Sequence, residues 1–299
     1  MDIDTLNRRF GRPPAVTFAN SPLGGPVVTL AIDGGHVMAS LIGGQVLSWV
    51  AHGRERLWLS PSARLDTGKP VRGGVPVCWP WFGPHPVDAQ KPAHGFVRTR
   101  IWEVAEVAGD AASPSVTLSY PTDDADLLIW PHECEARLTV TLCESAALEL
   151  SLATENCGLV PMHVTAALHT YFRVADIARV RLEGLENRIF IDKLSAGARK
   201  VEPGAVRFAG EVDRIYLGDT DRIRLVDEAA GAAIEITSAG SRSAVVWNPW
   251  SAKAARLGDM GSPGAYREMV CIESANAGDD IVTVLPGDRH TLRASYRIG

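Results

Sequence analysis

Residues 26–51 read PVVTLAIDGGHVMASLIGGQVLSWVA, and this stretch decides the fold class. Three short runs rich in β-branched residues, at 26–32, 36–42 and 45–51, follow one another with only DGG and GG between them. Short glycine-containing links between such runs are typical of β-hairpins. The stretch therefore predicts three successive antiparallel strands.

The same pattern continues through the rest of the chain. Further strand-like runs are predicted at 115–120, 134–143, 147–156, 162–174, 222–228, 232–238, 243–249, 267–274 and 281–287. Spacing of roughly 8–15 residues between strands is typical of a sandwich or barrel. No linker, composition shift or fixed repeat marks a boundary. The chain therefore predicts one large all-β domain over residues 1–299, with two antiparallel sheets packed face to face.

Helical patterns are few. Residues 1–25 are predicted to be an N-terminal extension of the domain, and DIDTLNRRF within it predicts one short helix with an acidic first turn.

Composition and charge exclude several classes of protein. The 299 residues are 46% hydrophobic with a net charge of -5, which argues against a general nucleic-acid binder. No apolar run reaches the roughly 18 residues of a membrane span, and the N-terminus lacks the apolar core of a signal peptide. Five cysteines without paired spacing predict reduced thiols in a cytoplasmic protein. The oligomeric state stays open, and a monomer is compatible with the sequence.

Residues 71–100 stand out as a candidate site. They contain five prolines, two tryptophans, two histidines and four basic residues, so they predict a loop. One interpretation is a rigid plug at the end of the sandwich. The other is a sugar site, because rings stack on sugar C–H faces and arginine binds phosphate. The candidate rings are Trp79, Trp81, Phe82 and, from a later segment, Trp247; the candidate polar groups are Arg72, His94 and Arg98. Lys91 and Arg100 are predicted to be solvated surface charges.

Two predicted strands carry groups capable of acid–base chemistry. Within 162–174, residues of one parity share a face, so His163, Thr165, His169 and Tyr171 are expected to point the same way. A lone histidine on such a strand is more often a hydrogen-bonded core group. Glu273 ends the apolar strand 267–274, where a glutamate is often simply solvated. Neither residue alone predicts a function.

Four motifs together resemble one family. RGGVPVCWPWFGP, HGFVR, LHTYFRV and CIESANA occur in this order, and the chain from Pro26 onward resembles the hexose-6-phosphate mutarotases. These are also called glucose-6-phosphate 1-epimerases and are a branch of the aldose 1-epimerase superfamily. The resemblance implies a large antiparallel β-sandwich of the galactose mutarotase type, with few short helices and a sugar bound on a concave sheet face.

The resemblance also implies roles for individual residues. His169 of LHTYF matches the catalytic histidine and Glu273 of CIESANA the catalytic carboxylate. His94 of HGFVR matches a second active-site histidine. Arg72 and Arg98 match the arginines of the phosphate-preferring branch, and Asp213 of EVDRIY matches an aspartate that bonds sugar hydroxyls.

The implied chemistry suits these residue types. Mutarotation opens the sugar ring to the aldehyde, so one group must take a proton from the C1 hydroxyl while another gives one to the ring oxygen. At their ordinary pKa values glutamate is ionised and histidine partly protonated at neutral pH. The sequence contains no HExxH, CxxC, GxGxxG or Walker motif, so no metal and no organic cofactor are expected.

Three alternatives stay open at this point. The same fold could act on free hexoses, although a neutral sugar does not need the arginines. A non-catalytic carbohydrate-binding protein would need the rings but not the His169 and Glu273 couple. A structural or interaction protein with this fold would show no anomerisation above the buffer rate.

Overall fold

The protein is built mostly from antiparallel β-strands. The structure, a computed structural model, describes residues 2–65 and 68–299. Residues 1, 66 and 67, which fall within the predicted domain, lie outside the described residues. The described strands are arranged in four sheets, and the few helices are short. The predicted all-β class with few short helices is confirmed.

The strands, in chain order, are β1 (Val16–Asn20), β2 (Pro26–Ile32), β3 (Gly35–Ser40), β4 (Gln45–Ala51), β5 (Arg54–Glu55), β6 (Val77–Cys78), β7 (Glu103–Ala108), β8 (Ser115–Pro121), β9 (Cys134–Leu142), β10 (Leu148–Asn156), β11 (Met162–Val164), β12 (Ala166–Leu168), β13 (Tyr171–Arg173), β14 (Val180–Glu183), β15 (Ile189–Asp192), β16 (Ala198–Val201), β17 (Val206–Arg207), β18 (Val212–Leu217), β19 (Arg222–Asp227), β20 (Ala232–Ala239), β21 (Ser243–Asn248), β22 (Met269–Asn276), β23 (Val282–Val284) and β24 (Arg289–Ile298).

The helices are short and lie between strands or at the N-terminus. The α-helices of the described chain are α1 (Ile3–Phe10), α2 (Asp124–Leu127) and α3 (Trp250–Ala254), and the 3-10 turns are Val97–Thr99, Ile177–Arg179, Lys193–Ser195 and Ala265–Glu268. The predicted N-terminal helix is α1, which Asp2 caps by accepting hydrogen bonds from the amides of Asp4 and Thr5. None of the described helices is long and apolar enough to cross a membrane.

The sheets follow largely from hairpins. The stretch that predicted the fold forms β2, β3 and β4 in a five-stranded sheet of order β1-β2-β3-β4-β5. A nine-stranded sheet has the order β17-β14-β19-β20-β24-β10-β9-β8-β7, and an eight-stranded sheet has the order β16-β15-β18-β21-β22-β12-β6, with β13 also paired to β22. Strands β11 and β23 form a separate pair.

The nine-stranded and eight-stranded sheets pack against each other through β24. The Tyr296 ring of β24 lies 5.1 Å from the Phe172 ring of β13, and its hydroxyl lies 2.6 Å from that of Thr170. One buried apolar cluster contains residues from Leu6 to Tyr296 and covers one face of the eight-stranded sheet. A smaller cluster that includes Ala167, Ile215 and Val245 lies on the opposite face, which also holds the candidate functional groups.

The prediction of one continuous strand over 162–174 is wrong. The chain is interrupted at Thr165, whose amide donates to the Pro80 carbonyl and whose hydroxyl accepts from the Phe82 amide. This interruption lets β11 leave the eight-stranded sheet and pair with β23. His163 is consequently exposed on that separate pair and does not share a surface with His169.

The segment 71–100 is mostly irregular, as predicted, but it is tied down at several points. Arg100 donates to the wholly buried Asp126 carboxylate over 2.8 Å, and Lys91 donates to the Ile129 carbonyl over 2.8 Å. The prediction that these two cations are solvated surface charges is therefore wrong, because each joins the segment to α2 or to the residues just after it.

Candidate active site

Strand pairing brings the two predicted acid–base groups together. Leu168 of β12 lies opposite Ser274 of β22, and Tyr171 of β13 lies opposite Cys271. Continuing this register between the two pairs places His169 opposite Glu273. Side chains that face each other in this way on antiparallel strands are in contact distance. His169 Nε2 accordingly lies 3.4 Å from Glu273 Oε1.

Both groups are buried with unused hydrogen-bonding capacity. The Glu273 side chain is 1% exposed and that of His169 is 13% exposed. His169 Nδ1 and Glu273 Oε2 have no hydrogen-bond partner within residues 2–65 and 68–299. Buried polar groups are normally paired, and the exceptions concentrate at functional sites. This pair is therefore typical of an active site.

The setting shifts both pKa values against ionisation. Burial, reinforced by His94 and the nearby arginines, lowers the pKa of His169 well below its ordinary range. Burial, reinforced by the Asp213 carboxylate, raises the pKa of Glu273 well above its ordinary range. Both shifts therefore disfavour the charged state, in which an ionised glutamate lies beside a protonated histidine. They favour an uncharged pair, in which a protonated Glu273 faces a neutral His169.

His94 is held in an uncommon backbone conformation next to this pair. Its φ of 63° is left-handed, and its amide donates to the Gly83 carbonyl over 2.7 Å. The Gly83 amide donates to His94 Nδ1 over 3.3 Å, which leaves Nε2 as the protonated nitrogen. Burial and the Arg98 charge lower the pKa of His94 to about 3, so its ring is neutral. His94 can therefore act as a fixed hydrogen-bond donor.

A cavity of about 220 Å³ opens in front of these groups. It is lined by Arg72, Phe82, His94, His169, Lys193, Asp213, Val245, Trp247, Lys253, Leu257 and Glu273. Two of the four predicted sugar-stacking rings, Phe82 and Trp247, are among them. Rings, cations, carboxylates and imidazoles around one small cavity are what a charged sugar requires.

The sheet explains why Asp213 belongs to this group. Asp213 of β18 lies opposite Trp247 of β21, and Val245 lies opposite Glu273, so these side chains share one face. Lys193 Nζ lies 3.8 Å from Asp213 Oδ1, and Lys253 Nζ lies 3.7 Å from Oδ2. Burial nevertheless raises the pKa of Asp213.

Arg72 is held at the cavity wall by two partners. Its Nε donates to Asp259 Oδ1 over 2.6 Å, and its Nη1 donates to the Tyr171 hydroxyl over 3.1 Å. The Tyr171 ring in turn stacks on His169 at 4.8 Å. Two residues after Arg72 the chain requires a glycine. Gly74 has a φ of 61°, and a Cβ at this position would collide with the Val46 carbonyl.

Three predicted site residues do not line the cavity. Trp79 and Trp81 are buried in the core, where their indole N–H groups donate to the Thr154 hydroxyl and the Pro92 carbonyl. Arg98 donates from Nη2 to the Ala93 carbonyl over 2.6 Å, although its charge still acts on His94 and His169. The two predicted phosphate-binding arginines therefore do not meet in one cradle.

Sequence reasoning missed the two lysines of the cavity. Lys193 follows β15 in the run IDKLS, and Lys253 lies in α3 after WNPW. Neither run is a recognisable motif. Lys193 comes close to Asp213 because β15 pairs with β18, and this pairing cannot be read from a local motif.

The remaining cavities lack this combination of groups. A cavity of about 390 Å³ is lined by arginines such as Arg54 and Arg173 and by Asp227, but no histidine is among the described residues around it. Its Asp227 carboxylate already accepts hydrogen bonds from backbone amides, including that of Ala175. Within the described ranges, no group of three or more His, Cys, Asp or Glu side chains is arranged to hold a metal ion.

Comparison with known proteins agrees with this geometry. The chain is 39% identical over 257 residues to a protein of Cenchrus ciliaris provisionally named glucose-6-phosphate 1-epimerase, covering 83% of this chain and 77% of the relative. It is 36% identical over 256 residues to an Escherichia coli protein with the same provisional name, covering 84% and 83%.

Solved structures agree as well. A Salmonella typhimurium protein described as a candidate mutarotase superposes with a TM-score of 0.88 at 27% identity, over 99% of both chains. Galactose 1-epimerase of Lactobacillus acidophilus has a TM-score of 0.73 at 13% identity, over 95% of this chain and 98% of that one, and shows the shared fold. The aldose 1-epimerase family model matches residues 26–297. The chain belongs to the aldose 1-epimerase family.

Proposed function

We propose that the protein interconverts the α and β anomers of hexose 6-phosphates, with glucose 6-phosphate as the expected substrate. The observation that carries this proposal is the His169–Glu273 pair, held 3.4 Å apart in a cavity that is also lined by Arg72, Lys193 and Lys253. The provisional names of the relatives support the same substrate. The activity would be that of an isomerase.

The reaction needs one proton acceptor and one proton donor. When the ring opens, the C1 hydroxyl loses its proton, the bond between C1 and the ring oxygen breaks, and the ring oxygen gains a proton. Rotation about the C1–C2 bond presents the other aldehyde face, and closure reverses both transfers. Substrate and protein end with the protons they began with.

His169 and Glu273 fit these two roles. In the uncharged pair the protonated Glu273 can give a proton, and the neutral His169 can take one. After ring opening the proton has moved to the other member, and ring closure returns it. A sugar bound in the cavity would meet groups with unused hydrogen-bonding capacity at His169 Nδ1 and Glu273 Oε2.

The other cavity residues have binding roles in this proposal. Neutral His94 donates a hydrogen bond to a sugar oxygen, and Asp213 accepts one from a sugar hydroxyl. Phe82 and Trp247 provide ring faces for the sugar C–H groups. We treat the chain as one domain, because one buried apolar cluster contains residues from Leu6 to Tyr296.

Arg72 is the proposed phosphate ligand. Its Nε and one Nη1 hydrogen are engaged, and its remaining donors have no partner in the part of the chain that the structure describes. Arg98 was predicted as the second phosphate ligand, and it would have to release the Ala93 carbonyl to serve. We therefore assign the phosphate contact to Arg72 before Arg98.

Replacing either member of the acid–base pair tests the function. Glu273→Gln and His169→Asn should each lower kcat/KM for glucose 6-phosphate by about two to four orders of magnitude, because proton transfer is lost. The rate is measured by coupling β-anomer formation to a β-specific dehydrogenase, with the buffer rate subtracted.

His163→Asn is the matched control for this test, because His163 is exposed on the β11–β23 pair. It should keep the wild-type rate. Wild-type turnover in either active-site variant, with the fold intact by circular dichroism, would remove that residue from the catalytic pair.

The buried Glu273 should also make stability depend on pH. Above about pH 4.3 an unfolded glutamate ionises while the folded Glu273, with its raised pKa, keeps its proton, so stability falls as pH rises. Glu273→Gln removes this loss. The stability gained by the variant over wild type should grow with pH, by about 1.4 kcal/mol for each unit of the pKa rise.

Urea denaturation between pH 4.5 and 8 measures this difference. Glu103→Gln is the control, because Glu103 is exposed on β7. A difference between Glu273→Gln and wild type that stays constant with pH, or that shrinks as pH rises, would show that Glu273 is not held in its protonated form by the fold.

Arg72→Met separates phosphate binding from ring binding. A charge-assisted hydrogen bond contributes roughly 1.5–3 kcal/mol, so kcat/KM for glucose 6-phosphate should fall about tenfold to a hundredfold more than kcat/KM for glucose. Arg98→Met should have the smaller selective effect. Equal losses on both sugars for Arg72→Met would mean that Arg72 supports Tyr171 and the ring, and its phosphate assignment would be withdrawn.

A further inference from the structure

The three cationic side chains that line the cavity, Arg72, Lys193 and Lys253, differ in the hydrogen bonds that they already make. Arg72 is bound to Asp259 and Tyr171, and Lys253 donates to Glu211 Oε1 over 2.8 Å. Lys193 makes no hydrogen bond through its ammonium group to any described residue. Its nearest carboxylate oxygen, Oδ1 of Asp213, is 3.8 Å away, beyond hydrogen-bond distance.

The local structure holds Lys193 in place while leaving its ammonium group without a hydrogen bond to a described residue. Lys193 begins a 3-10 turn that Asp192 caps by accepting from the Leu194 amide and the Ser195 hydroxyl. The ammonium that binds the Asp192 carboxylate, over 2.5 Å, is that of Lys200. The adjacent acid is therefore satisfied without Lys193.

The strand register directs this lysine to the active site. Asp192 of β15 lies opposite Arg214 of β18, so the next residue of the turn comes beside Asp213. Lys193 lines the same cavity as Glu273, and its side chain is 38% exposed. Its charge lowers the pKa of both His94 and Glu273, which agrees with a short distance to the reacting groups.

We propose that Lys193 is a specificity residue that binds the phosphate group of an anionic sugar substrate. This inference rests on the proposed hexose 6-phosphate activity and adds a ligand that the sequence motifs do not contain. An ammonium on a flexible four-carbon stem can move to meet a phosphate, whereas the partners of Arg72 hold its guanidinium in one orientation. When Lys193 turns to the phosphate, Asp213 keeps an oxygen available for a sugar hydroxyl.

Three variants test this role. Lys193→Met removes the charge, Lys193→Arg keeps it, and Arg199→Met removes an equal charge from the neighbouring β16, where Arg199 pairs with the exposed Asp279 outside the cavity. For each protein kcat/KM is measured at low ionic strength for glucose 6-phosphate and for glucose, and circular dichroism confirms the fold.

The ratio of the two kcat/KM values is the decisive quantity. It should fall about tenfold in Lys193→Met, because one charge-assisted contact to phosphate is lost. Most of the ratio should return in Lys193→Arg, and Arg199→Met should keep the wild-type ratio.

Three results would overturn the inference. The first is a wild-type ratio in Lys193→Met, and the second is an equal loss of kcat/KM on both sugars in that variant. The third is a fall of the ratio in Arg199→Met as large as that in Lys193→Met, which would indicate a general electrostatic effect of positive charge and no direct contact with phosphate. Failure of the proposed function looks different, because wild-type protein itself would then show no turnover of glucose 6-phosphate.

Discussion

The proposed active site depends on the burial of one carboxyl group, that of Glu273, which β22 carries into the interior. All eight residues of β22 are buried, and Glu273 is among them with an oxygen that has no partner in the described structure. Ionising a carboxyl group in such a place is costly, so the group stays protonated and His169 opposite stays neutral. A protonated carboxyl beside a neutral imidazole is a suitable starting state for chemistry that must give one proton and take another. The pairing of β22 with β12 and β13 places the two groups at facing positions.

The irregular segment 71–100 supplies the other wall of the cavity, and it needs its own support. Asp126, wholly buried in α2, accepts from Arg100 and from the Tyr120 hydroxyl, and its side chain also caps the helix. The Trp81 and Trp130 rings lie 5.7 Å apart beside this contact. Together with the short strand β6, these interactions hold the segment that carries Arg72 and His94. They also explain why several of its aromatic residues pack inward: Trp79 and Trp81 support the loop, while Phe82 reaches the cavity.

The sequence predicted the fold class, which the structure confirms, and its motifs singled out His169 and Glu273, whose acid–base role stays a proposal. The runs at 26–51 became β2, β3 and β4, and LHTYF and CIESANA carried His169 and Glu273 to facing positions. Strand β24 was missed because RHTLRASYRI alternates arginines with its few buried apolar residues, so its mean hydropathy conceals a strand at the centre of a sheet. The placement of Lys193 and the break at Thr165 depend on contacts with other segments of the chain, which no local pattern contains. The hydrogen bond from Arg98 to the Ala93 carbonyl is local, but it depends on the irregular backbone of this loop, which the sequence motif does not specify.

We propose above all that the buried pair of His169 and Glu273 opens and closes the ring of a hexose 6-phosphate. Magnetisation-transfer NMR tests it most directly, because it measures exchange between the α and β anomeric protons of glucose 6-phosphate at equilibrium, without a coupling enzyme. The account predicts exchange that increases in proportion to the concentration of the protein and exceeds the buffer rate, with slower exchange for glucose. Exchange of glucose 6-phosphate at the buffer rate in the presence of folded protein would contradict it.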